Sequence, residues 1–200
     1  MDYRYIFYMI VGYLAGSMLF ALEYPRILKG VDVRQLSEDG NPGTYNAFVY
    51  GGLGCGILTL ISELAKGFLP VFLCNRQLGI GSMWFAGVMA APVAGHAFSA
   101  FHHGKGGKAI AVSFGVLAGL FPLCRPFISL VIFYLLFSVM LPVRSHRKRS
   151  LITFLCLGVI CFFTAEPPSV LAGVVILSGI VVYKHCICTE NEAGEEKAAV

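Results

Sequence analysis

Apolar residues in this chain gather into seven blocks parted by polar stretches: Tyr5 to Leu22, Val49 to Cys74, Leu78 to Ala94, Ala109 to Cys124, Pro126 to Val143, Leu151 to Thr164 and Ser169 to Tyr183. A helix that crosses the hydrocarbon core of a bilayer needs about 20 apolar residues, with a working range of roughly 17–25. Several blocks sit near or below that lower limit, and seven spans is the count that accounts for all of them. The first block is as long as a spanning helix and is preceded by only two charged residues, Asp2 and Arg4. It therefore reads as the first transmembrane helix rather than as a cleavable signal peptide. The pattern predicts an all-α membrane protein with about seven transmembrane helices.

Composition strengthens this reading, because 57% of the 200 residues are hydrophobic and only 13% are charged. The mean hydropathy is +0.76, which leaves too little polar surface for an ordinary soluble domain. Basic residues then orient the spans. With the N-terminus outside, the cytoplasmic loops hold Arg26, Lys29, Arg34, Lys105, Lys108, Arg144, Arg147, Lys148 and Arg149, and the outer loops hold Arg76 and Arg125. Nine against two is a clear positive-inside bias, so the C-terminus is expected to be cytoplasmic and all three long polar loops to share that side. The expected organisation is a single multi-pass membrane domain over 1–185 and a cytoplasmic tail over 186–200. From Glu190 to Val200 the tail has four glutamates among eleven residues, the composition of a disordered segment.

Three stretches carry candidate chemistry. Gly95 to Lys108 packs two lysines, three histidines and four glycines into fourteen residues between apolar blocks. Glycine N–H groups that curl around an anion, with lysines beside them, suit phosphate. The stretch is not a nucleotide-binding loop, since His102 stands where that motif needs a glycine and Ala109 where it needs a hydroxyl. A positively charged loop that only orients the protein in the membrane fits the same residues. The loop from Glu23 to Asn46 is the longest, and its Gly40-Asn41-Pro42-Gly43 is a tight-turn signal. Within the second block, Glu63 and Lys66 lie three apart on one helix face. Each lone charge in hydrocarbon costs about 2.5–3.5 kcal/mol even on the lenient insertion scale, so they are expected to pair or to line a substrate path. The seven cysteines read mostly as small hydrophobes. Cys186 and Cys188 beside His185 lack an obvious fourth metal ligand.

Gly16-Ser17, Gly40-Asn41-Pro42-Gly43 with Asn46, Glu63-Leu64-Ala65-Lys66-Gly67-Phe68-Leu69-Pro70, and Gly95-His96 leading to Lys105-Gly106-Gly107-Lys108 together resemble the bacterial acyl-phosphate:glycerol-3-phosphate acyltransferase family in order and spacing. The resemblance implies a multi-pass enzyme of the bacterial plasma membrane, with no cofactor, no metal and no nucleic-acid partner. Such an enzyme moves a fatty acyl group from acyl-phosphate to the 1-hydroxyl of glycerol 3-phosphate, giving lysophosphatidic acid beside membrane lipid. It also implies that Gly40, Asn41, Gly43, His96, Lys105, Gly106, Gly107 and Lys108 bind substrate and that His185, Asn46 and Asp39 serve the chemistry. Asp39 stands where the family has a serine and is the candidate base in its place.

The chain departs from the family pattern at four further points. Val49 occupies the position of an arginine, Ala109 that of a glycine, Val112 that of a threonine and Cys188 that of an asparagine. Loss of a cationic phosphate ligand and of polar groups weakens substrate binding unless neighbours replace them. Arg147, Lys148 and Arg149 are candidates for replacing the charge, and a lipid-headgroup contact is the other use of that cluster. Two other function classes fit the residues: an anion or lipid transporter, for which no internal repeat is visible, and a catalytically degenerate binding or scaffold homologue.

Overall fold

The computed structural model describes residues 2–37, 40–164 and 166–198, the side chains of 187–198 excepted. Among the described residues there is no strand. The helices are α1 (Tyr3–Ser17), α2 (Phe20–Lys29), α3 (Val33–Leu36), α4 (Thr44–Leu78), α5 (Trp84–Ala97), α6 (Ile110–Ala118), α7 (Arg125–Leu135), α8 (His146–Phe163) and α9 (Pro168–Ala198). Helical residues run through each of the seven apolar blocks. Among the described residues three helices are long and apolar enough to cross a membrane, and α1 with α2 makes a fourth if the pair is one bent span.

The first block is not one straight helix. Its chain leaves α1 at Ser17, passes through an extended Met18 and re-enters a helix at Phe20 with a bend of 40°. Partners from elsewhere hold the two carbonyls at this break. Ser99 Oγ donates to Ser17 O at 2.6 Å, and Lys66 Nζ donates to Met18 O at 2.5 Å. An interrupted helix is tolerated at membrane depth when its freed backbone groups are satisfied in this way.

The stretch expected to be a long loop is largely helical. It holds most of α2, which ends on Gly30 at φ 67, with Gly30 N–H bonded to Arg26 O at 3.0 Å and Val31 N–H to Pro25 O at 3.2 Å. That left-handed C-terminal glycine is a common helix stop. The turn of α3 follows, and α4 starts at Thr44. Within α4 the backbone breaks from helical geometry at Gly52, where φ is 83.

Helix pairs α1–α5, α4–α6, α5–α9 and α2–α4 form the main packing of the bundle. Two of these contacts depend on paired glycines. On α1 and α5, a Cβ at Gly16 would collide with Pro92 O and one at Gly95 with Tyr13 O; on α4 and α6, Gly67 faces Val112 O and Gly115 faces Leu64 O. Small residues at such crossings let backbones approach closely where lipid offers no hydrophobic driving force. The core runs through Phe85, Met89, Val116, Leu130, Phe154 and Leu177, and leaves one end of the bundle to polar segments.

Candidate active site

The segments that open α4, α6 and α8, together with the middle of α9, converge on one cavity of about 770 Å³. Its lining combines polar residues, Asn41, Asn46, Lys108, His146, Ser150 and His185, with apolar ones, Leu60, Leu64, Ile110, Phe114 and Phe127. Glu63 and His96 also line it.

The turn before α4 is built on the Asn41 carbonyl. Gly43 N–H and the Asn46 side-chain amide both donate to it, each at 2.8 Å. Gly40 takes φ 54 and donates its N–H to Ser37 O at 3.1 Å. Gly43 caps α4 with no side-chain acceptor, so Thr44, Tyr45 and Asn46 bring the first turn of a helix, rich in N–H donors, to the cavity wall.

On α4, Glu63 and Lys66 pair at 2.8 Å, and His96 Nδ1 lies 3.0 Å from the same Glu63 oxygen. All three side chains are buried. The charges pair as expected, and Glu63 also lines the cavity. Both Glu63 oxygens are buried without an aligned hydrogen-bond donor among the described residues, so its contact with Lys66 is an ion pair rather than an aligned hydrogen bond.

Past α5 the chain makes a 3-10 turn (Ala100–His102) and then crosses left-handed backbone at His103 (φ 53), Gly104 (φ 76) and Ala109 (φ 59). Gly107 N–H donates to His96 O at 3.0 Å, and a Cβ on Gly106 would collide with the carbonyls of His96 and Ala97. The two glycines thus pack on the last turn of α5, and that packing delivers Lys108 to the cavity. Lys105 is exposed, and its carbonyl accepts from Arg34 Nη2 at 3.1 Å. Burial lowers the Arg34 guanidinium from its ordinary range.

His185 is buried on α9 and its Nδ1 donates to Val181 O at 2.8 Å. A carbonyl only accepts, so this bond puts the ring proton of the neutral imidazole on Nδ1 and makes Nε2 an acceptor.

Of the residues expected from sequence, Asn41, Gly43, Asn46, His96, Lys108 and His185 line the cavity, whereas Gly40, Lys105, Gly106 and Gly107 do not. Asp39 lies outside the described residues. The segment 144–149 contributes His146 to the lining rather than Arg147 or Lys148. Sequence reasoning missed His146, Tyr45, Thr44 and Tyr134. In sequence His146 is one more member of a basic run, and only the meeting of α4 with α8 shows where it points. Val49, in place of the arginine, stands on the cavity wall, and Ala109, in place of the glycine, has the left-handed backbone that favours glycine.

Residues 6–190 match the family described as Glycerol-3-phosphate acyltransferase. A glycerol-3-phosphate acyltransferase of Pseudomonas aeruginosa is 35% identical over 176 residues, covering 88% of this chain and 89% of that protein. Glycerol-3-phosphate acyltransferase 2 of Bacillus cereus is 34% identical over 177 residues, covering 88% and 85%. The crystal structure of PlsY (YgiH), an integral membrane glycerol 3-phosphate acyltransferase, in its glycerol 3-phosphate form superposes with a TM-score of 0.82 at 26% identity. That likeness covers 96% of this chain and 93% of the PlsY chain, and the lysophosphatidic acid form gives a TM-score of 0.81.

Proposed function

This chain belongs to the glycerol-3-phosphate acyltransferase family, and from that premise we propose that it moves a fatty acyl group from acyl-phosphate to the 1-hydroxyl of glycerol 3-phosphate. It is an integral membrane acyltransferase of bacterial phospholipid synthesis, acting on glycerol 3-phosphate at the plasma membrane. The finer reading concerns the donor, the hydroxyl and the residues that serve them.

One observation carries it: a single cavity with a polar wall at Lys108, Asn41, Asn46, His146 and His185 and an apolar wall at Ile110, Phe114 and Phe127. A phosphate-bearing substrate with an acyl chain needs both walls at once. Lys108 and the N–H donors of the first turn of α4 suit the phosphates, and the apolar wall suits the acyl chain. His185 Nε2 accepts a hydrogen bond from the 1-hydroxyl and turns its lone pair toward the acyl carbonyl. The hydroxyl oxygen bonds to the carbonyl carbon as its proton passes to His185 Nε2, the bond from that carbon to the phosphate oxygen breaks, and His185 hands the proton on to the departing phosphate. Acyl-phosphate is already activated, so the transfer calls for no covalent acyl-enzyme and no cofactor.

The same reading takes 1–185 as one multi-pass domain of seven spans with its N-terminus outside, and 186–200 as a cytoplasmic tail. The bias of nine basic residues to two supports it, and with that topology the polar wall meets soluble glycerol 3-phosphate from the cytoplasm. The test is purified protein in lipid, supplied with palmitoyl-phosphate and glycerol 3-phosphate, with phosphate release and lysophosphatidic acid followed together. Both products, lost in Lys108→Ala, support the assignment. Phosphate release without the lipid product overturns the acceptor, and neither product from folded protein overturns the donor as well.

A further inference from the structure

The reacting pair is rich in negative charge, and the cavity is poor in positive charge. Each phosphate monoester carries about −1.5 to −2 charges at neutral pH, and two phosphates meet here under the reading above, on which this inference rests. Among the described residues that line the cavity, Lys108 is the only lysine or arginine and Glu63 the only carboxylate, and Lys66 already matches Glu63. The position where the resemblance leads one to expect an arginine holds Val49.

One cation stands directly behind the wall. The guanidinium of Arg149 lies 5.7 Å from the ring centre of Tyr134, and its Nη2 donates to His146 Nδ1. Tyr134 and His146 both line the cavity. Arg149 has no carboxylate partner among the described residues, and its Nε is buried without an acceptor. A cation with a buried, unsatisfied donor and no counter-ion of its own gains from a ligand that supplies an acceptor. Arginine cannot accept a hydrogen bond, so its bond to Nδ1 fixes the tautomer of His146 and leaves the ring hydrogen on Nε2. On its other side the imidazole meets Tyr45, also on the wall, with ring centres 5.8 Å apart. The ring is thus braced from α4 and from α8.

We propose that His146 and Arg149 form a phosphate-binding dyad that acts as the second cation of this cavity at one remove. His146 is the binding residue and gives its Nε2–H to a phosphate oxygen. Arg149 is a positioning residue that holds the tautomer and polarises the donor. The dyad does for this chain what an arginine on the wall at position 49 would do directly, and it raises glycerol 3-phosphate affinity without entering the bond-making step.

The test measures binding first and turnover second, on the full chain in lipid nanodiscs. Calorimetric titration with glycerol 3-phosphate and with inorganic phosphate should show both affinities falling about tenfold in His146→Ala, the scale of one lost hydrogen bond to a charged group. His146→Gln, which keeps an N–H donor, should recover most of that loss. Arg149→Met should weaken binding in the parent but not in His146→Ala, because it acts through the imidazole. In turnover, KM for glycerol 3-phosphate should rise about as much as the dissociation constant while kcat stays within about twofold, the pattern of lost uniform binding. Equal affinities for parent and His146→Ala overturn the proposal, as does a loss that Arg149→Met adds to in full. If His146-dependent phosphate binding is measured in protein that makes no lysophosphatidic acid, the dyad stands and the acyl-transfer reading falls.

Discussion

Gly107 lies against the imidazole of His96: its N–H donates to the His96 carbonyl at 3.0 Å, and a Cβ on it would collide with Nε2 of that ring. Gly106, one residue earlier, meets backbone, since its Cβ would overlap the carbonyl oxygens of His96 and Ala97. The two substitutions should therefore differ in kind. Gly106→Ala must move the end of α5, and should lower the melting temperature and abolish activity together. Gly107→Ala meets chiefly the far end of a side chain, which yields at less cost than backbone, so the fold should survive while Lys108 is misplaced. We expect a near-parental melting temperature with a loss of at least tenfold in kcat/KM, on the scale that small misplacements near reacting groups produce.

The two lysines that flank these glycines should separate by function. Lys105 is exposed and serves through its carbonyl, which accepts from Arg34, whereas Lys108 lines the cavity. Lys105→Ala keeps the carbonyl and should hold kcat/KM within about threefold of the parent. Lys108→Ala should lower it by roughly 10²–10³, as expected when a charged donor to a reacting phosphate is removed. The product assay on both variants, each first shown to be folded, checks the contrast; equal losses would place Lys105 at the substrate too.

Ala109 has φ 59 at the N-cap of α6, a conformation that costs an L-residue about 1–2 kcal/mol relative to glycine. Ala109→Gly should thus relieve strain in the folded state, offset in part by the greater freedom of glycine in the unfolded chain. The expected net gain is about 0.5–1 kcal/mol, read as a raised melting temperature in the same detergent. A lowered melting temperature would show that the methyl group of Ala109, buried in the core, contributes more than its backbone costs.

These residues also show how much the sequence could reveal. Local features were legible. Glu63 and Lys66 had to find each other because isolated charges in hydrocarbon are costly at any position. The turn at Gly40 to Gly43 announced itself because its residue types are those that turns require. Features that depend on two distant segments were not. The break at Met18 has only Gly16-Ser17 before it to mark it, a pair equally at home in a continuous helix; it is held because Ser99 and Lys66 take the carbonyls of Ser17 and Met18. Likewise Gly106 and Gly107 read as a phosphate cradle, and their close approach to α5 becomes visible only in three dimensions. A run such as Arg144 to Arg149 gives no sign that His146 alone among its members lines the cavity.

Lys66 joins two tasks, and its removal separates them. Its Nζ neutralises Glu63 at 2.8 Å and holds the Met18 carbonyl at 2.5 Å, so it ties the cavity wall to the α1–α2 break. Lys66→Met leaves a buried carboxylate with His96 as its remaining partner and frees a backbone carbonyl as well. Breaking a buried pair in this manner costs about 3–5 kcal/mol. Neutralising both partners, as in Glu63→Gln with Lys66→Met, removes the uncompensated charge and should cost much less, because the Met18 carbonyl alone then lacks its donor, at about 1–3 kcal/mol. Thermal unfolding of the parent, the single variants and the double variant in one detergent checks this as a double-mutant cycle. Additive losses would mean that Glu63 and Lys66 contribute independently, and the link from the cavity wall to the helix break would then have to run through His96.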